Sequence, residues 1–141
     1  MSLLTKAISL AKKVHEGQYR RDGKTEYFVH LVRAAKLVKE LGGSEEQIAL
    51  AYLHDSVENY GGDRTLIIKE IKNIFGAQFL TEVLCLTKDE DAAYFEYIKK
   101  IKQNKKLILV KICDMIDNLS DQPNEKQKKK YATALLKLIL D

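Results

Sequence analysis

A histidine and an aspartate stand side by side at His54-Asp55, inside the apolar stretch from Ile48 to Val57. An ionised carboxylate in such surroundings is costly unless something compensates its charge. Glu58 follows His54 by four residues and Asp55 by three, so helical spacing brings it to their side. Two more ligand types occupy apolar settings: His30 near the start of the preceding helical segment, and Asp114 among Val110, Ile112 and Cys113. Imidazole and carboxylate together suit a first-row divalent ion such as Mn, Fe or Zn better than Ca or bare Mg. Four protein ligands on an ion that accepts six leave room for water, which the ion's charge makes acidic and able to attack phosphorus. Taken singly, each residue has a plainer reading. His30 also suits a helix cap, His54 a hydrogen-bonded core position, and Asp114 a pair with Lys111 one turn away.

Helices must bring these residues together. The first is expected from Leu3 to Glu16, with Leu4, Ala7, Ile8, Ala11 and Val14 as its apolar stripe, followed by the polar loop GQYRRDGKTE. A second should begin near Tyr27 or His30 and end at Leu41, where Gly42-Gly43 closes it. Ser44 and Gln47 form a capping-box pattern for a third, which carries Ile48, Leu50, Ala51, Leu53 and Val57 and stops at Asn59-Tyr60-Gly61-Gly62. Thr65 is the expected cap of a helix to Phe75, Gly76 its end, and Ala77 to Leu86 another short helix. Helices are also expected from Asp89 to Gln103 and from Lys106 to Leu119, the latter with Leu107, Val110, Cys113 and Ile116 facing the core. On that helix Lys111, Asp114 and Asn118 lie one turn apart and share a face. Pro123 interrupts the chain before a last helix from Glu125 to Leu140.

Leu, Ile, Ala and Val at helical spacing, in 141 residues of 45% hydrophobic composition, predict an all-α helical bundle formed as one domain over residues 1–141. The N-terminus shows neither a signal-peptide pattern nor a membrane span, so a cytoplasmic location is expected. Cys85 and Cys113 lack metal-type spacing and read as reduced core residues. The net charge of +4 is mild, yet lysines cluster at 99, 100, 102, 105 and 106 and again at 126, 128, 129 and 130. With no aromatic residue interleaved, these clusters read as solvated helix faces and not as a nucleic-acid surface.

Five ordered blocks then carry a family resemblance: HEGQYRRDGKTEYFVH (His15 to His30), LHDSVEN (Leu53 to Asn59), FG (Phe75-Gly76), LTK (Leu86 to Lys88) and LVKICDMIDNL (Leu109 to Leu119). In order and spacing they resemble the hydrolase domain of the RelA/SpoT alarmone enzymes. The resemblance implies an HD-domain helical bundle that binds Mn(II) and removes the 3′-pyrophosphate from guanosine tetra- or pentaphosphate. It implies that His30, His54, Asp55 and Asp114 are the metal ligands, with another divalent first-row ion as the alternative to Mn(II). Glu58 falls on the first acid of the family's Glu-Asp pair, which positions or activates the attacking water. Arg20 matches an arginine that packs on the nucleobase and Arg21 a basic neighbour, while Lys111 and Asn118 match a K-x-x-D-x-x-x-N pattern beside the nucleoside. With Lys24, the basic residues Arg20, Arg21 and Lys111 would screen phosphate charge.

Several positions depart from that pattern. Asn59 takes the second acidic position of the catalytic pair, and an amide cannot take up a proton. Met115 and Asp117 replace a basic residue and a His or Tyr, Leu31 replaces a proline, and Thr25 or a neighbour is an insertion. The chain stops soon after the last block, leaving little expected counterpart to the C-terminal helices that complete the pocket in small members. The expected partner is thus a small-molecule nucleotide, without membrane or nucleic acid. Two other readings of the same residues are an HD phosphohydrolase for a different nucleotide, and a metal- and nucleotide-binding sensor with weak or lost catalysis.

Overall fold

The structure is a computed structural model that describes residues 1–140. Eight helices follow one another: α1 (Leu3–Val14), α2 (Tyr27–Glu40), α3 (Glu45–Leu53), α4 (Arg64–Phe75), α5 (Ala77–Cys85), α6 (Tyr94–Lys102), α7 (Lys105–Leu119) and α8 (Glu125–Ile139). Among the described residues the β-structure is one isolated antiparallel bridge, Tyr19 to Glu26, and no helix is long and apolar enough to cross a membrane. The all-α expectation holds.

The short α3 is the hub. Ala49, Leu50, Ala51 and Leu53 are all buried, so the helix is apolar on more than one face and is covered by α1, α2, α5 and α7. Its start is fixed by the expected capping box: Ser44 Oγ accepts from Gln47 N at 3.2 Å, and Gln47 Oε1 accepts from Ser44 N at 2.8 Å. Gln47 also donates to the Lys106 carbonyl at 2.9 Å, tying this end of α3 to α7. Before it, Gly42 takes φ +86°, and Gly43 N donates to Val38 O at 2.8 Å, which closes α2. The turn is tight. A Cβ on Gly43 would overlap Val38 Cγ1 and come within 2.8 Å of Val38 O and 3.2 Å of Leu109 Cδ2. Gly43→Ala is therefore expected to lower stability by about 1–3 kcal/mol, the usual cost of overpacking, read as a lower denaturation midpoint with unchanged helical circular dichroism.

The differences from the sequence reading include three helix boundaries and one core position. The third helix ends at Leu53, not near Asn59, and His54 to Asn59 form successive turns. His54, Asp55, Ser56 and Val57 are all buried, so this turn, like α3 before it, is covered on more than one side. Asp63, rather than Thr65, caps α4 by accepting from Thr65 N at 2.9 Å. Residues 89–93 are not helical, and α6 starts at Tyr94. On α7, Ile116 is 39% exposed, because the inward positions belong to Asp114 and Asp117.

Cys113 is buried and Cys85 partly so, both as free thiols. Lys106 is no simple surface lysine. It bridges Glu46 and the buried Glu82, the latter at 2.9 Å.

Candidate active site

Three elements aim side chains at one point. His30 comes from the first turns of α2, His54 and Asp55 from the turn that ends α3, and Asp114 from mid-α7. Asp114 Oδ1 is 2.9 Å from both His30 Nε2 and His54 Nε2, while Asp55 Oδ2 is 3.0 Å from His54 Nε2 and 3.8 Å from His30 Nε2. One donor atom from each residue lies within 4.8 Å of the others, and all four residues are buried. An ion about 2.1 Å from each donor sets neighbouring octahedral donors about 3 Å apart, so these spacings fit a divalent cation.

The imidazoles are held from behind. His30 Nδ1–H donates to Asp117 Oδ2 at 2.7 Å, and His54 Nδ1–H donates to the Ala51 carbonyl at 2.6 Å. Both acceptors lack a proton to give, so each ring presents Nε2 to the centre. Asp117 is in turn approached by Ser120 Oγ at 3.5 Å and by Arg33 at 3.8 Å.

Burial alone would raise the Asp114 carboxyl, but Lys111, His54 and the imidazole hydrogen bonds hold it well below the ordinary carboxylate range. Burial likewise opposes ionisation of Asp55, and the His54 charge and hydrogen bond overcome it. The two imidazoles are lifted despite their burial, chiefly by the hydrogen bonds of Asp114 and Asp117 on His30 and by the charges of Asp55 and Asp114 on His54. Both carboxylates therefore stay ionised, the state a cation requires of its oxygen donors. Lys111 Nζ donates to Asp114 Oδ2 at 2.8 Å, so the pairing with Lys111 and a place in the ligand cluster occur together.

Through Asp55 and Asp114 this cluster opens onto a cavity of about 560 Å³. Asp55, Glu58, Asn59, Lys111, Asp114 and Asn118 line it, together with Arg20 and Arg21 from the hairpin-like loop between α1 and α2. Arg20 is fixed by Asn118 Oδ1 at 3.1 Å and by Asp121 at 3.0 Å, and its guanidinium lies 5.6 Å from the Tyr27 ring centroid. Lys24 does not reach the cavity. The Asp22 carboxylate accepts from Lys24 N and Thr25 N at 2.8 Å each, which shapes the loop tip and leaves Lys24 outside the lining.

The last helix supplies a wall that the sequence reading left without a counterpart: Gln127, Lys130 and Tyr131 of α8 line the same cavity, together with Lys88 and Tyr94. Lys130 also lies 4.7 Å from the Tyr94 ring centroid and 4.8 Å from that of Tyr131, so one lysine of the second cluster does have aromatic neighbours. Sequence reasoning also missed Tyr27 and Asp117. The signal for both was three-residue spacing, Tyr27 before His30 and Asp117 after Asp114.

The HD domain family model matches residues 7–138. A probable guanosine-3′,5′-bis(diphosphate) 3′-pyrophosphohydrolase of Synechocystis sp. is 30% identical over 128 residues, covering 83% of this chain and 16% of that protein. The corresponding pyrophosphohydrolase of Aquifex aeolicus is 28% identical, covering 96% of this chain and 20% of the relative. A GTP pyrophosphokinase rsh of Brucella melitensis is 31% identical over 129 residues, again covering 16% of the relative. The chain thus spans a fifth or less of the length of these curated relatives. A solved structure of a metazoan ortholog of SpoT that hydrolyses ppGpp has the same fold, with TM-score 0.74 at 20% identity over 98% of this chain and 84% of that one. These matches bear out the RelA/SpoT resemblance of the sequence blocks, and the chain belongs to the HD domain family.

Proposed function

We propose that the chain is a cytoplasmic, single-domain, Mn(II)-dependent pyrophosphohydrolase that converts guanosine tetraphosphate and water into GDP and pyrophosphate. One observation carries this reading: a four-donor His and Asp cluster meets, through Asp55 and Asp114, a cavity lined by arginines, lysines, tyrosines and Glu58. The names of the Synechocystis and Aquifex relatives supply the substrate.

His30, His54, Asp55 and Asp114 would hold the ion, which supplies the charge that acidifies water and polarises a phosphoryl oxygen. Glu58 faces the same cavity and receives the proton of the attacking water. Arg21, Lys88, Lys111 and Lys130 offset phosphate charge, and Arg20, held flat by Asn118 and Asp121, offers its guanidinium plane to a purine.

The test is metal analysis followed by a nucleotide screen. One divalent ion per chain is expected, with Mn(II)-dependent release of pyrophosphate from guanosine tetraphosphate and little from GTP. A metal-loaded protein that leaves guanosine tetraphosphate intact while cleaving another nucleotide would move it to a different HD substrate class. A protein that takes up no divalent ion would remove the reading altogether.

A further inference from the structure

Position 59 carries an amide where the resemblance places an acid, and the structure gives that amide a partner. Tyr27 Oη donates to Asp55 Oδ2 and lies 3.1 Å from Asn59 Nδ2. Donor and acceptor capacity fixes the direction of both bonds. The ionised Asp55 carboxylate can only accept, so it takes the single proton of the phenol. The phenol oxygen can then only accept from its second partner, and that partner must be a donor. Asn59 provides one, whereas a carboxylate at this position would instead compete with Asp55 for the phenol proton.

The tyrosine is held in place independently. Its ring stacks on His15 with centroids 5.0 Å apart and planes at 27°, and His15 is buried with Nδ1 2.7 Å from Gln18 Oε1. The chain ends on Asp55 Oδ2, the oxygen that lies 3.0 Å from His54 Nε2 and belongs to the cation-binding set.

We propose that Asn59 and Tyr27 form a hydrogen-bond chain that positions the Asp55 carboxylate for a divalent cation, making Asn59 a positioning residue of the metal centre. The inference rests on the metal-binding reading above but on no particular substrate. It also changes the meaning of the departure at position 59: the amide is matched to the phenol and is not merely a missing acid.

The test is Mn(II) titration of the metal-free full chain by calorimetry, which needs no substrate. Tyr27→Phe keeps the ring that stacks on His15, so the metal-free melting temperature and helical circular dichroism are expected to stay near wild type. Its Mn(II) affinity should fall about 10-fold, the lower end of the effect of removing a group that orients a ligand. Asn59→Leu, similar in size but without a donor, should also weaken binding, and Asn59→Gln should recover most of the affinity on its longer amide arm. In the Tyr27→Phe background, Asn59→Leu should add nothing, because the bond it removes is already gone. Wild-type affinity in Asn59→Leu, or losses that multiply in the double variant, would overturn the chain of bonds while leaving the metal site intact. A wild type that binds no divalent ion would overturn both readings.

Discussion

Asp114→Ala abolishes divalent-ion binding and, in the metal-free chain, lowers stability by about 3–5 kcal/mol, the range for breaking a buried ion pair from one side. The expectation follows from how fully this carboxylate is used. Oδ2 accepts from Lys111 Nζ at 2.8 Å, while Oδ1 meets both imidazole Nε2 atoms at 2.9 Å and Asn118 Nδ2 at 3.3 Å. Without the carboxylate, Lys111 is a buried ammonium whose remaining neighbours are the rim of the cavity and the Tyr97 ring, 5.2 Å away. The Lys111→Met, Asp114→Leu double variant separates the two roles. Removing both charges leaves no uncompensated ion, so denaturation should recover much of the lost stability, whereas metal analysis should still find none bound. Wild-type stability in Asp114→Ala would show that Lys111 finds water through the cavity mouth. Retained metal would remove Asp114 from the donor set.

How much of this was legible in the sequence depended on whether a residue type was out of place. Histidines and aspartates in apolar helical runs are anomalous, and His30, His54, Asp55 and Asp114 converge as the blocks implied. Tyr27 and Asp117 gave no such signal. A tyrosine at a helix start is ordinary, and Asp117 is flanked by Ile116, which periodicity placed in the core until the paired carboxylates set the phase of α7. Helix α8 was legible as a helix, from Asn124 with Gln127, but nothing in a lysine-rich run says which neighbour it covers. The location of Gln127, Lys130 and Tyr131 in the cavity is a tertiary fact, fixed by packing of α8 on α6 and α7. The end of α3 was unreadable for a related reason. A run of apolar residues with a charged pair fits a continuing helix as well as a turn, and only the demand that both His54 and Asp55 reach one centre decides between them.

Glu58 is the acid left free for chemistry. Asp55 and Asp114 are engaged by imidazoles, a phenol, an ammonium and an amide, whereas among the described residues no hydrogen bond or ion pair engages the Glu58 carboxylate. Its backbone is nonetheless held, because the Glu58 carbonyl accepts from Arg64 at 3.1 Å, and the side chain faces the cavity. Burial, with the nearby Asp55 charge, raises its proton affinity above that of an ordinary glutamate, the direction that makes a carboxylate a better base near neutral pH. Glu58→Gln preserves shape and removes this capacity. It should keep the bound metal and the melting temperature while cutting turnover of guanosine tetraphosphate by about 10²-fold or more, the common scale of general acid-base contributions. Because the loss is in the transition state, kcat should fall with KM nearly unchanged. Glu58→Asp, one methylene shorter, should fall between the two, since its carboxylate keeps the chemistry but not the reach. A full loss of metal in Glu58→Gln would make Glu58 a ligand. Unchanged turnover at saturating metal would place the base elsewhere, and with Asn59 unable to take a proton and Asp55 and Asp114 occupied, the bulk solvent would have to accept it.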